Sequence, residues 1–123
     1  MPTIQPRLFA DDRGVWFETT PGRSSGIEWN DVFCVSGHKL NGITEVYTCV
    51  VLDFEYGEFI ELYANWPGFD QAITAITERL PGIKTDWLQE IEQLVVGDAP
   101  VEVWHRLDLR TLMHEPCAGG VSD

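Results

Sequence analysis

The residues here that could carry chemistry are a serine framed by glycines, scattered histidines and cysteines, and a run of carboxylates. Gly22-Arg23-Ser24-Ser25-Gly26 fits the Gly-x-Ser-x-Gly pattern of a nucleophile elbow. That pattern is reactive only where a strand enters the turn and a helix leaves it, lifting the hydroxyl above a parallel sheet. Here the exit, Ile27-Glu28-Trp29, reads as strand, so the segment is expected to be a loop and not a nucleophile. His114-Glu115 begins like a zinc-protease helix, but Pro116-Cys117-Ala118 follows and the second histidine is missing. His38 and His105 lie far apart in the sequence, each without a carboxylate or cysteine at a ligand spacing. An isolated imidazole of this kind is ordinarily a satisfied structural group.

The cysteines are Cys34, Cys49 and Cys117, an odd number with no CxxC pair. Cys34 and Cys49 stand among valines and phenylalanines, where a free thiol packs as a small hydrophobe. Asp53, Glu55, Glu58 and Glu61 surround a break in the strand pattern, with no basic residue among them. Their spacing is not that of an EF-hand loop. A solvated strand face is the default for such a cluster, and a charged contact surface is the alternative. No cofactor and no metal site are expected.

The whole chain has 123 residues and a formal net charge of −12. The excess is uneven: residues 1–40 net −1 and residues 41–123 net −11. A field of that sign repels phosphate backbones and anionic membranes and can steer a basic partner. The amino-terminal Met1-Pro2-Thr3-Ile4-Gln5-Pro6 has no basic region followed by an apolar run, and no stretch reaches the ~18 apolar residues of a membrane span. The expected compartment is the cytoplasm.

Positioning these groups falls to a chain that changes period midway. Residues 7–10, 15–19, 27–29, 32–40, 45–54 and 59–64 read as strands, punctuated by turn residues. In the strongest, Val46, Thr48, Val50, Leu52 and Phe54 share one face, and Tyr47, Cys49, Val51 and Asp53 the other. In its neighbours, Val32, Cys34 and Ser36 share a face, as do Ile60, Leu62 and Ala64. After Pro67-Gly68, the spacing of Phe69, Ala72, Ile73, Ile76 and Leu80 predicts a helix over 68–80. A second helix is expected from Thr85 as cap to a stop at Gly97, with Trp87, Leu88, Ile91, Leu94 and Val95 as its apolar stripe. Residues 101–110 fit a strand or a helix.

Trp16, Trp29 and Trp87 fall within apolar patterns and are expected in the core, whereas Trp66 could pack on the helix or stand exposed. Trp104 alternates with Glu102, Arg106 and Asp108, so a strand there would expose it as a contact residue; a helix would bury it.

Gly26-Ile27-Glu28-Trp29-Asn30-Asp31-Val32-Phe33-Cys34-Val35 resembles a strand of the bacterial pleckstrin-homology-like domains, and Asn65-Trp66-Pro67-Gly68-Phe69-Asp70 resembles their passage from sheet to helix. The resemblance covers about residues 7–80 and implies an α+β, mainly β, antiparallel roll of six to seven strands closed by an amphipathic helix, with a second helix after it. Residues 1–97 would form that domain, and 98–123 a segment and loose tail on it. Phosphoinositide-binding relatives carry basic residues around the first hairpin; this one reads Asp11-Asp12-Arg13-Gly14, so lipid recognition does not carry over. The expected function is a non-catalytic interaction module for a basic protein, such as an acidic inhibitor of the immunity type. Asp53, Glu55, Glu58, Glu61 and Trp104 would be its contacts. The competing reading is a small enzyme or ligand-binding protein with a site built from Asp53, Glu55, His38 and His105. A homodimer is compatible with either.

Overall fold

The computed structural model describes residues 6–20 and 22–106. Six strands precede residue 65: β1 (Arg7–Ala10), β2 (Gly14–Thr20), β3 (Arg23–Glu28), β4 (Cys34–Asn41), β5 (Val46–Asp53) and β6 (Phe59–Tyr63). Helices α1 (Phe69–Arg79) and α2 (Trp87–Glu92) follow, and then β7 (Val101–His105). The chain is thus α+β and mainly β. All pairings are antiparallel, in a three-stranded sheet ordered β1-β2-β3 and a four-stranded sheet ordered β6-β5-β4-β7.

Residues 23–26, expected as loop, belong to β3. Ser24 pairs with Glu18, Ser25 with Phe17 and Gly26 with Trp16. Their polar side chains face solvent on an edge strand, so cross-strand hydrogen bonds decide the structure where side-chain preference points elsewhere. The β3 strand runs on into a 3-10 turn, Trp29–Asp31, and no helix leaves Ser24.

Leu8, Val15, Ile27, Val35, Val50, Leu52 and Leu62 face inward and meet Phe69, Ala72, Ile76, Trp87 and Ile91 of the helices in one apolar cluster. Ile76 is fully buried, as its helical spacing requires, and Ile73 is partly so. Helix α1 also shields the edge of β1. The Gln71 amide accepts from the Ala10 N–H and donates to the Ala10 carbonyl, both at 3.0 Å, as a neighbouring strand would. Gly68, at φ 88°, starts that helix against the Leu8 backbone, where any side chain would collide with the Leu8 carbonyl.

Helix α2 ends at Glu92, well before Gly97. The Asp98 carboxylate accepts the Val95 N–H at 2.9 Å and the Asp98 N–H returns to the Val95 carbonyl, so a turn replaces the expected last helical turn. Val95, placed in the apolar stripe by its spacing, is therefore 65% exposed.

Residues 101–105 form a strand, yet Trp104 is buried at 7% exposure, against the expectation of an exposed contact residue. Val35 pairs with Trp104 and Ser36 with Glu102, leaving Val103 as an extra residue in β7. Such a bulge breaks the period-two alternation. It turns Trp104 inward, and Trp104 leaves the contact set. Trp29 and Trp87 are buried as expected, but Trp16 is only partly so, held under the Arg13 guanidinium at 4.9 Å. Trp66 is half-buried, edge-on to Tyr63 with ring centroids 4.8 Å apart. Leu107, Leu109, His114 and Cys117 lie outside the described residues.

Candidate functional site: the outer face and hairpin of the four-stranded sheet

Because β5 alternates, the strand that sends Val50 and Leu52 into the core sends Cys49, Val51 and Asp53 to the other side. Register then fixes what joins them. Cys34, Asp53 and Phe59 form one cross-strand row over β4, β5 and β6, and His105 of β7 extends it. Ser36, Val51 and Glu61 form the next row, extended by Glu102. His38, Cys49 and Tyr63 form the third. This outer face is thus rich in titratable groups, while Thr48 is the one buried polar residue among the described residues.

Cys34 and Cys49 are both buried, as expected, but on this polar side and outside the apolar cluster. The Cys34 thiol donates to Glu102 Oε2 at 2.9 Å. Burial first, and then the carboxylates of Glu102 and Asp53, hold that thiol far above its ordinary range. Burial and the Glu61 charge push Cys49 up to about 12. Neither is a ready nucleophile, since the thiolate is the reactive form. Asp53 is raised by burial and by Glu102, against an opposing hydrogen bond from Cys34.

The sequence-predicted carboxylates do not act as one group. Glu55 and Glu58 are exposed on the β5–β6 turn, whereas Asp53 and Glu61 are half-buried on the sheet. At the turn Gly57 takes φ 98°, and the Phe54 N–H closes onto the Glu58 carbonyl at 2.8 Å. The turn and the start of β6 also present aromatic surface: Tyr56 is 90% and Phe59 55% exposed. A groove of about 250 Å³ runs beside it, lined by Asn30, Asp31, Phe33, Phe54, Glu55, Tyr56 and Arg106. No ion pair among the described residues involves a hairpin carboxylate. From residue 40 to residue 78 the sequence holds no lysine or arginine.

Of the suspected catalytic set, Asp53 and His105 share a row, with Cys34 between them, and His38 sits further along β4, in the row of Cys49. His105 packs edge-on against Phe33, with ring centroids 4.7 Å apart. Glu55 is on the exposed turn, where it lines the groove with Phe33 and Arg106. What the structure does bring together is His38, Cys49 and Glu61, whose ligand atoms all lie within 4.8 Å of one another. Spacing rules missed this group because its members come from three different strands. The face assignments hold the signal: Cys49 opposite the core side of β5, Glu61 opposite Ile60 and Leu62, and His38 in phase with Cys34 and Ser36.

Comparison with protein-family models, with curated proteins and with solved structures finds no match. Among the described residues, no helix is long and apolar enough to cross a membrane.

Proposed function

We propose that this chain is a non-catalytic interaction module that meets a basic protein partner through the β5–β6 hairpin. One observation carries the reading: Tyr56 and Phe59 stand exposed beside Glu55 and Glu58, which have no ion-pair partner among the described residues, inside a long segment without lysine or arginine. Solvent-exposed aromatic anchors ringed by charge are the ordinary composition of a contact patch. The interior between the sheets is filled by apolar side chains, which supports a module over an enzyme with a buried site.

An acidic inhibitor of the immunity type, neutralising a basic partner, is the concrete form this takes. The pleckstrin-homology-like assignment belongs to the same proposal, supported by the six antiparallel strands ahead of α1; the acidic first hairpin, Asp11-Asp12, keeps lipid recognition out of it. Nucleic acid and anionic membranes are poor partners for the same electrostatic reason.

The test is affinity capture from native extract with two baits: the wild type, and a variant carrying Tyr56→Ser, Glu55→Gln and Glu58→Gln. A basic protein held by the wild type, released by salt and absent from the variant supports the reading. Capture of the same proteins by both baits removes the hairpin from the interface.

A further inference from the structure

We propose that His38, Cys49 and Glu61 form a three-ligand site for a zinc-class divalent cation, with a fourth coordination position open to water or an external ligand. The three residues come from adjacent strands β4, β5 and β6, so the hydrogen-bonded sheet fixes their spacing with no help from a loop. Their ligand atoms already lie within 4.8 Å of one another. Around a tetrahedral ion with legs of ~2.0–2.3 Å, ligand atoms sit roughly 3.3–3.8 Å apart. Closing the difference takes at most roughly 1–1.5 Å of movement between ligand atoms.

Two further features distinguish this group from an ordinary polar cluster. His38 Nδ1 is buried and has no hydrogen-bond partner among the described residues. A buried, unsatisfied polar atom is costly and calls for a partner, and a cation at Nδ1 would supply one. Glu61 is held from outside: the Tyr63 hydroxyl donates to Glu61 Oε1 at 2.7 Å. A ligating carboxylate is commonly oriented in this way by a second hydrogen-bonding group.

The donor set selects the metal. Imidazole, thiolate and carboxylate together suit zinc, whereas calcium and magnesium take oxygen donors. The charge balances too, since one thiolate and one carboxylate neutralise a dication. Binding exchanges the Cys49 S–H bond for an S–metal bond and releases that proton to solvent. Three protein ligands with an open position is the arrangement of labile or reactive zinc sites, as against closed structural ones. The site lies on the sheet's outer face, apart from the hairpin turn, and stands whether or not the hairpin meets a partner.

Cobalt(II) titration of the full-length, reduced chain tests this, because a thiolate–cobalt bond gives a near-ultraviolet charge-transfer band. Cys34→Ser and Cys117→Ser serve as controls. The expected result is a band saturating at one equivalent, displaced by zinc, kept in both controls and lost in Cys49→Ser. His38→Gln and Glu61→Gln, at half-exposed positions that do not disturb the core, should each weaken binding at least about tenfold. Tyr63→Phe should weaken it by about 10–100-fold, as loss of an orienting partner does. No band in the wild type, or a band that survives Cys49→Ser or is undiminished in His38→Gln, overturns the site.

Discussion

The Trp104 indole N–H donates to the Pro81 carbonyl at 2.9 Å, tying the last described strand to the turn between the two helices. The Arg106 guanidinium continues the closure. It lies 5.1 Å from the Trp104 ring centre and donates to the carbonyls of Val32 and Trp29 at 2.8 and 3.0 Å. The bulge at Val103 makes this possible, because an unbroken alternation would place the indole on the opposite face.

Trp104→Ala should therefore cost about 3–5 kcal/mol, the range for truncating a packed aromatic. Trp104→Phe keeps the ring's bulk and gives up the bond to Pro81, so it should cost about 0.5–1.5 kcal/mol. Urea denaturation of the two variants separates these. Near-equal midpoints for the wild type and Trp104→Ala would show the indole to be outside the core.

Gly37 supplies a second structural test. A methyl group on it would run into the Ile91 side chain of α2, so the bare backbone of β4 is what lets that short helix lie down on the sheet. Gly37→Ala should cost about 1–3 kcal/mol by overpacking. Adding Ile91→Val should restore part of the loss, because it removes the methyl that the new side chain meets. A double variant no more stable than Gly37→Ala alone would place the cost elsewhere.

Two aspartates should shift the pH profile of stability in opposite directions. One oxygen of Asp11 accepts from Trp16 Nε1 and from the backbone N–H groups of Arg13 and Gly14, which lowers its pKa from 3.8. Its contribution is present above 3.8 and is lost as pH falls through the lowered folded value. Asp53 is raised from 3.8, chiefly by burial, so its contribution is present below 3.8 and is lost as pH rises through the folded value. Asp53→Asn should then stabilise the protein at neutral pH, with the gain shrinking below 3.8. Asp11→Asn should destabilise it at neutral pH and flatten the acid limb. Denaturation midpoints measured from pH 3 to pH 7 give both signs, and parallel profiles for the two variants would refute the assignment.

Most of the architecture could be read from period alone. The apolar alternation of Val46 to Phe54 gives β5, and the steps from Phe69 to Leu80 give α1. What could not be read was decided by pairing. Arg23 to Gly26 carry no strand preference and become strand because β2 offers them hydrogen-bond partners. Trp104 points inward because of one unpaired residue, which no alternation pattern registers. The cluster of His38, Cys49 and Glu61 lies between these cases. Each face assignment was legible in the sequence, but the cross-strand register that sets His38 opposite Cys49 was not.

The hairpin carboxylates give the last prediction. Glu55 and Glu58 are exposed, and Asp53 and Glu61 lie on the adjoining sheet face, with no cation among the described residues paired to any of them. Complementary charge chiefly raises the association rate, and salt screens it over ~8–10 Å at ordinary ionic strength. With the captured basic partner, association should slow as salt rises while dissociation changes less. Changing Asp53, Glu55, Glu58 and Glu61 to Asn and Gln should reproduce the high-salt rate at low salt. Most of that effect should come from Glu55 and Glu58, because the other two are partly withdrawn into the sheet and Glu61 is engaged by Tyr63. Stopped-flow association across a salt series, run on the quadruple variant and on the Glu55→Gln, Glu58→Gln pair, measures this directly. Low-salt rates equal to the wild type's in both variants would leave the acidic turn a solvated edge, and the partner would have to be sought at another surface.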